Sequence, residues 1–107
     1  MSKLKNIFDN IPEFIPEEIF ETILLSDKIK IERIVSKGQA SPKDFWYDQN
    51  QNEWVVLLKG KAKLLFYQNE IIELSEGDYI NIPAHQKHRV EWTDPENETI
   101  WLAIFYG

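Results

Sequence analysis

From Lys28 to its end the chain is a succession of short apolar runs, each stopped within a few residues by a turn signal, and this rhythm limits what it can fold into. Ile29 and Ile31 alternate with Lys30 and Glu32, and the run continues through Ile34 and Val35 to Gly38. A period of two marks a strand, because successive side chains of an extended backbone point to opposite faces. Trp54 to Leu58, the loop Lys59-Gly60-Lys61 and Ala62 to Tyr67 read as a hairpin with glycine in its loop. Further strands are predicted at Ile71 to Leu74, before the break Ser75-Glu76-Gly77-Asp78, and at Tyr79 to Ile82. Pro83 ends the latter, since it has no N–H to give to a ladder. His88 to Trp92 and Thr99 to Tyr106 follow, separated by the polar stretch Thr93 to Asn97. So many short strands in 107 residues predict a small β-barrel or sandwich forming one domain.

Only the N-terminal part departs from this rhythm. Pro16 suits a first helical position, Glu17 and Glu18 follow it, and Ile19, Phe20, Ile23 and Leu24 are spaced three and four apart, so a short amphipathic helix is predicted over Pro16 to Leu25. Its glutamates, Glu17, Glu18 and Glu21, read as a solvated face. The expected organisation is a single domain over 1–107, with residues 1–27 as an arm and helix and 28–107 as the barrel. The first residues have no uninterrupted apolar stretch of the kind that directs secretion, and no run is long enough to span a bilayer, which predicts a cytoplasmic protein without membrane contact. Twelve basic against eighteen acidic residues leave a net charge of −6, which opposes general binding to nucleic acid. With no cysteine, disulfides, thiolate nucleophiles, cysteine-ligated zinc and iron–sulfur clusters are excluded, and a metal would need His, carboxylate, amide, Tyr or water.

Two patches carry the residues from which chemistry could be built. The first runs from Phe45 through Trp46, Tyr47, Asp48, Gln49 and Glu53 to Gly60; the second runs from Gly77 through Pro83 and His85 to His88 and holds both histidines. Together they resemble the paired motifs of the cupin superfamily. The first cupin motif has a glycine, a His-x-His pair, a glutamate three or four residues on, and a glycine seven residues after the glutamate; Glu53 and Gly60 keep that last spacing. In the second, Gly77, Pro83 and His88 fall into step, while His85 stands for the motif's second glycine and Trp92 for its asparagine. The two first-motif histidines align with Tyr47 and Gln49 for the shorter spacer, or with Trp46 and Asp48 for the longer one, and are missing either way. The resemblance covers about Ile29 to Tyr106.

The resemblance implies an all-β double-stranded β-helix, the cupin jelly-roll barrel, here with the short N-terminal helix packed on it. It also implies a divalent metal (iron, manganese, nickel or zinc) held by Glu53 and His88, with Gln49 or Asp48 completing the set. His85 would stand behind these ligands, and Trp46, Tyr47, Asp48 and Trp92 would line the mouth of a pocket for a small polar molecule. Trp54, Trp101 and Phe105 read as core. Two functions stay open: a metal-dependent protein that binds and acts on a small molecule, and a metal-free, non-catalytic binding or interaction module. The sequence decides neither the reaction nor whether there is one. A homodimer is the further expectation, since small cupins commonly pair through sheet edges and terminal segments.

Overall fold

The computed structural model describes residues 4–107 and, within them, contains eight strands and no helix. The strands are β1 (Ile19–Leu25), β2 (Ile29–Ser36), β3 (Asn52–Lys59), β4 (Ala62–Phe66), β5 (Glu70–Leu74), β6 (Tyr79–Ile82), β7 (His88–Thr93) and β8 (Thr99–Tyr106). They form a five-stranded sheet in the order β1-β2-β8-β3-β6 and a three-stranded sheet in the order β5-β4-β7, with all pairings antiparallel. Alternation decides which residues enter the space between the sheets. Along β3, Glu53, Val55 and Leu57 are buried while Trp54, Val56 and Leu58 are half-buried on the other face. Along β4, Ala62, Leu64 and Phe66 are the buried set. With Leu74, Ile82, Trp101 and Ala103 these apolar residues make the core, each fully buried large side chain contributing about 1.5–3 kcal/mol.

Two expectations fail here for identifiable reasons. The predicted N-terminal helix is strand β1: Ile19, Phe20, Thr22 and Ile23 favour an extended backbone, and the open edge of β2 satisfies it with a ladder from Ile19↔Val35 to Leu25↔Lys30. Spacing of three and four does not tell a helix from a strand with a bulge, and a register shift lies between Thr22 and Leu24. The predicted hairpin across Lys59-Gly60-Lys61 is not one either, because β3 pairs with β8 and β6 whereas β4 pairs with β5 and β7. The loop instead carries the chain from one sheet to the other. Gly60 makes that corner possible with φ +96°, and a Cβ there would meet the Thr99 Cα at 2.8 Å. The N-terminal arm is tied to β2 by Arg33, whose Nη1 donates to the carbonyl oxygens of Ile7 and Asp9 at 3.0 and 2.6 Å and whose Nη2 bonds Glu21. No helix among the described residues is long and apolar enough to cross a membrane.

Candidate functional site

A cavity of about 300 Å³ opens between the sheets. Its apolar wall includes Ile34, Val55, Leu64, Val90, Trp101 and Phe105, and its polar wall joins Lys30, Glu32, Glu53 and His88 of the strands to Glu18 before β1 and to Tyr47, Gln49 and Gln51 before β3. Glu53 continues the inward row of β3 (Val55, Leu57), so its carboxylate is buried by the alternation that buries the core. His88 begins β7 and is cross-linked to the chain before β3: Tyr47 N–H donates to the His88 carbonyl oxygen at 2.8 Å, and His88 N–H to that of Tyr47 at 3.2 Å. That pairing brings the two sequence patches together. His88 Nε2 stands 3.4 Å from Glu53 Oε1, Gln49 Nε2 donates to the same oxygen at 2.9 Å, and the Tyr47 ring stacks on the imidazole with centroids 5.5 Å apart.

The electrostatics follow from this closure. Burial works against a charged His88, but the Glu53 carboxylate on one ring nitrogen and the Gln86 carbonyl oxygen, 3.0 Å from Nδ1, outweigh it and raise the histidine above its ordinary value. Tyr47 is raised by burial and by the neighbouring Glu18, Glu53 and Glu32. Glu18 is also raised by burial, opposed by the hydroxyl of Ser36, which donates to Glu18 Oε2 at 2.7 Å.

Of the residues expected at the site, Glu53, His88, Gln49 and Tyr47 line the cavity together. Trp46, Asp48, His85 and Trp92 do not line it. Between the two first-motif alignments the backbone chooses the shorter spacer, because Tyr47 and Gln49 share a side of the chain with Glu53 and turn Trp46 and Asp48 away. Trp46 packs edge-on against Tyr67, and Trp92 lies on the outer face of β7 beneath the Lys63 ammonium. His85 Nδ1 contacts Asp48 Oδ1 at 2.8 Å in an exposed pair. His85 also has φ +65°, so it preserves the left-handed turn for which the motif uses glycine, and its side chain stays exposed, away from the cavity lining. Residues not foreseen at the site are Glu18, just before β1, Phe20 on β1, and Lys30 and Glu32 on β2, with Lys30 Nζ 2.9 Å from Glu32 Oε2. The first pair was hidden by reading β1 as a helix. The second was hidden because alternation shows that Lys30 and Glu32 share a face without saying that this face is the inner one.

The donor set suits a resident divalent ion poorly. One imidazole and one carboxylate meet, they face each other, and the amide beside them presents its N–H to the carboxylate. Among the described residues no three His, Asp or Glu side chains converge as a metal site would require.

Comparison with known proteins agrees with the architecture. The family model described as cupin domain matches residues 32–105. A Ralstonia eutropha protein named provisionally as a mannose-6-phosphate isomerase has a solved structure that superposes with a TM-score of 0.93 and 42% identity, covering 98% of each chain. A Desulfitobacterium hafniense cupin superfamily protein shares the fold with a TM-score of 0.75 and 18% identity, over 90% of this chain and 83% of its own. So does an RmlC-like cupin with a double-stranded β-helix fold from Methanocaldococcus jannaschii, with a TM-score of 0.71 and 16% identity over 91% and 86%. No curated protein matches the sequence.

Proposed function

The chain belongs to the cupin family, and from that premise we propose that its barrel is a metal-independent pocket for a small neutral or cationic molecule with one apolar face and several hydrogen-bond donors. The observation that carries this reading is the composition of the polar wall: Glu18, Glu32 and Glu53 face a cavity whose cations, Lys30 and His88, are each already engaged by one of those glutamates. Free acceptor capacity therefore exceeds free donor capacity. A ligand that brings hydroxyl or ammonium donors gains charge-assisted bonds, while an anion meets carboxylates in a site of reduced dielectric. The apolar wall would take the ligand's carbon face, and about 300 Å³ lies at the small end of ligand pockets.

A second reading is favoured by the 42% identical Ralstonia protein, whose provisional name implies an aldose–ketose phosphate substrate. Glu53 and His88 form a proton donor–acceptor pair that could serve such an isomerisation. Against it, Lys30 is the only lysine among the described residues of the cavity wall and is held by Glu32, which leaves little to receive a phosphate.

Thermal unfolding with candidate ligands separates these readings, because a molecule that binds only the folded state raises stability by RT ln(1 + [L]/Kd), about 2.7 kcal/mol at one hundred times Kd. Neutral polyols or small amines are expected to raise Tm saturably, with the effect lost in Glu53→Ala, and chelator is expected to change nothing. Stabilisation by mannose 6-phosphate but not by mannose would favour the second reading. Saturable stabilisation by micromolar iron, manganese, nickel or zinc, lost in His88→Ala, would overturn the metal-independent one.

A further inference from the structure

The charges on the cavity wall do not close among themselves. Lys30 Nζ is 2.9 Å from Glu32 Oε2 and His88 Nε2 is 3.4 Å from Glu53 Oε1, so each of these cations is matched by one carboxylate. Glu18 is the carboxylate of the wall that meets no cation among the described residues. Its Oε2 accepts from the hydroxyl of Ser36 at 2.7 Å, a neutral donor that is itself fully buried, and its Oε1 accepts no hydrogen bond among the described residues. Burial raises the Glu18 carboxyl and the Ser36 bond only partly opposes this, so a charge held there carries a desolvation cost that the protein leaves uncompensated. An apolar surface adjoins it. Phe20 follows two residues later, and the period of an extended chain brings both side chains to the cavity. Phe20 lies across the ladder from Ile34, another wall residue, yet it is 52% exposed. Tyr47 faces the same space, and its hydroxyl makes no hydrogen bond among the described residues. After burial, Glu18 is the largest influence holding that hydroxyl protonated, ahead of Glu53 and Glu32.

We propose that Glu18 and Phe20 form an alkylammonium subsite, which makes the ligand of the pocket a small primary amine in preference to a neutral polyol; this rests on the reading of the barrel as a metal-independent pocket. The ammonium group donates to Glu18 Oε1 and to the Tyr47 hydroxyl oxygen, and the carbon chain covers Phe20 and the apolar wall. A hydrogen bond to an ionised partner is roughly twice as strong when the donor is charged as well, and a primary ammonium brings several donors at once. A polyol meets the same acceptors without the charge and sets hydroxyls against Phe20. A carboxylate meets Glu18 as a like charge in a site of reduced dielectric. Glu32 and Glu53 select less, because Lys30 and His88 already answer them. The segment that carries Glu18 is held in place on both sides: Gln39 Nε2 donates to the carbonyl oxygen of the buried Ile15 at 2.8 Å, and Arg33 bonds Glu21. The carboxylate is therefore positioned before a ligand arrives, which lowers the ordering cost of binding.

Amide NMR titration of the whole protein at neutral pH and constant ionic strength tests this, with butylammonium, butan-1-ol and butanoate as probes that share a carbon chain and differ in the charge of the head. Wild type is expected to saturate with butylammonium through shifts at cavity amides, to bind it at least about tenfold tighter than butan-1-ol, and not to saturate with butanoate. In Glu18→Gln, which keeps the size of the side chain and an acceptor for Ser36, the preference for the amine over the alcohol is expected to fall to about threefold or less. The wild-type comparison of amine with alcohol needs no variant to fold. Equal affinity for the two, no saturation by the amine, or a preference that survives Glu18→Gln would overturn the subsite. If butan-1-ol still saturates at cavity amides in that event and Val90→Phe abolishes it, the pocket itself stands. A chelator-sensitive response, or amine binding undiminished in a folded Val90→Phe protein, would overturn the pocket reading on which the subsite rests.

Discussion

His88 is held on both sides of its ring, by Glu53 at one nitrogen and by the Gln86 carbonyl oxygen at the other, and these contacts outweigh the burial that opposes its charge. Its folded pKa therefore lies above the unfolded value of about 6.5. For a base the sign is fixed: the stabilisation is fully present below the unfolded value and is lost as pH rises through the folded one. Glu53→Gln removes the charged partner, so the His88 imidazole resonance is expected to titrate at lower pH in the variant by NMR. The loss of stability on raising pH from about 6 to 8 should shrink with it. An unchanged midpoint would show that Glu53 does not hold the proton on His88. The same pair was legible in the sequence as two motif positions, Glu53 and His88, but not as an ion pair. That the motif's missing histidines are a ring stacked on His88 and an amide bonded to Glu53 became visible only when Tyr47 and Gln49 were placed beside them.

Elements were legible where the period was strict and lost where it was broken. β3, β4, β6, β7 and β8 follow closely the runs read from the sequence, because alternation against a buried core leaves little choice of phase. β1 was misread because a bulge adds one residue, turning a period of two into an imitation of a helical stripe. Glycine sites test how corners are made. Gly60 and Gly77 both have φ above +90°, but a Cβ at Gly60 would approach the Thr99 Oγ1 to 2.6 Å, whereas at Gly77 it would meet nothing within 4 Å. Gly77→Ala is expected to cost about 1–2 kcal/mol from the backbone alone. Gly60→Ala is expected to cost more by at least about 1 kcal/mol, as seen in urea unfolding, because the clash adds to the same strain. Equal losses would mean that the corner yields freely.

At the scale of the molecule, the inner face of the strands builds the cavity, while the outer face of the larger sheet is apolar along Trp54, Ile104 and Ile31 and carries the Arg33–Glu21 ion pair beside Leu102. The cavity has an apolar wall that can be filled without touching the Glu53–His88 pair. Val90→Phe, on that wall, is expected to preserve or raise Tm while abolishing stabilisation by any ligand found in the thermal screen. Undiminished ligand stabilisation in a folded Val90→Phe protein would place the ligand outside the cavity. Trp54 shows how the larger scale corrects the smaller. Read alone it belongs in the core, yet its strand places it half-buried on the outer face beside Tyr79.

The sequence by itself determined that the chain is built of short strands in a small β-barrel or sandwich, and its resemblance to the cupin motifs singled out Glu53 and His88 as candidates, because local alternation, turn residues and motif spacing are properties of neighbours along the chain. The tertiary structure decided the rest. Which face of Ile29 to Glu32 is the inner one, whether Lys59 to Lys61 turns back or crosses between sheets, and that Glu18 reaches the cavity all depend on strand partners far apart in the chain. A period of two states which side chains share a face. Only the sheet packed against that face makes it the inside.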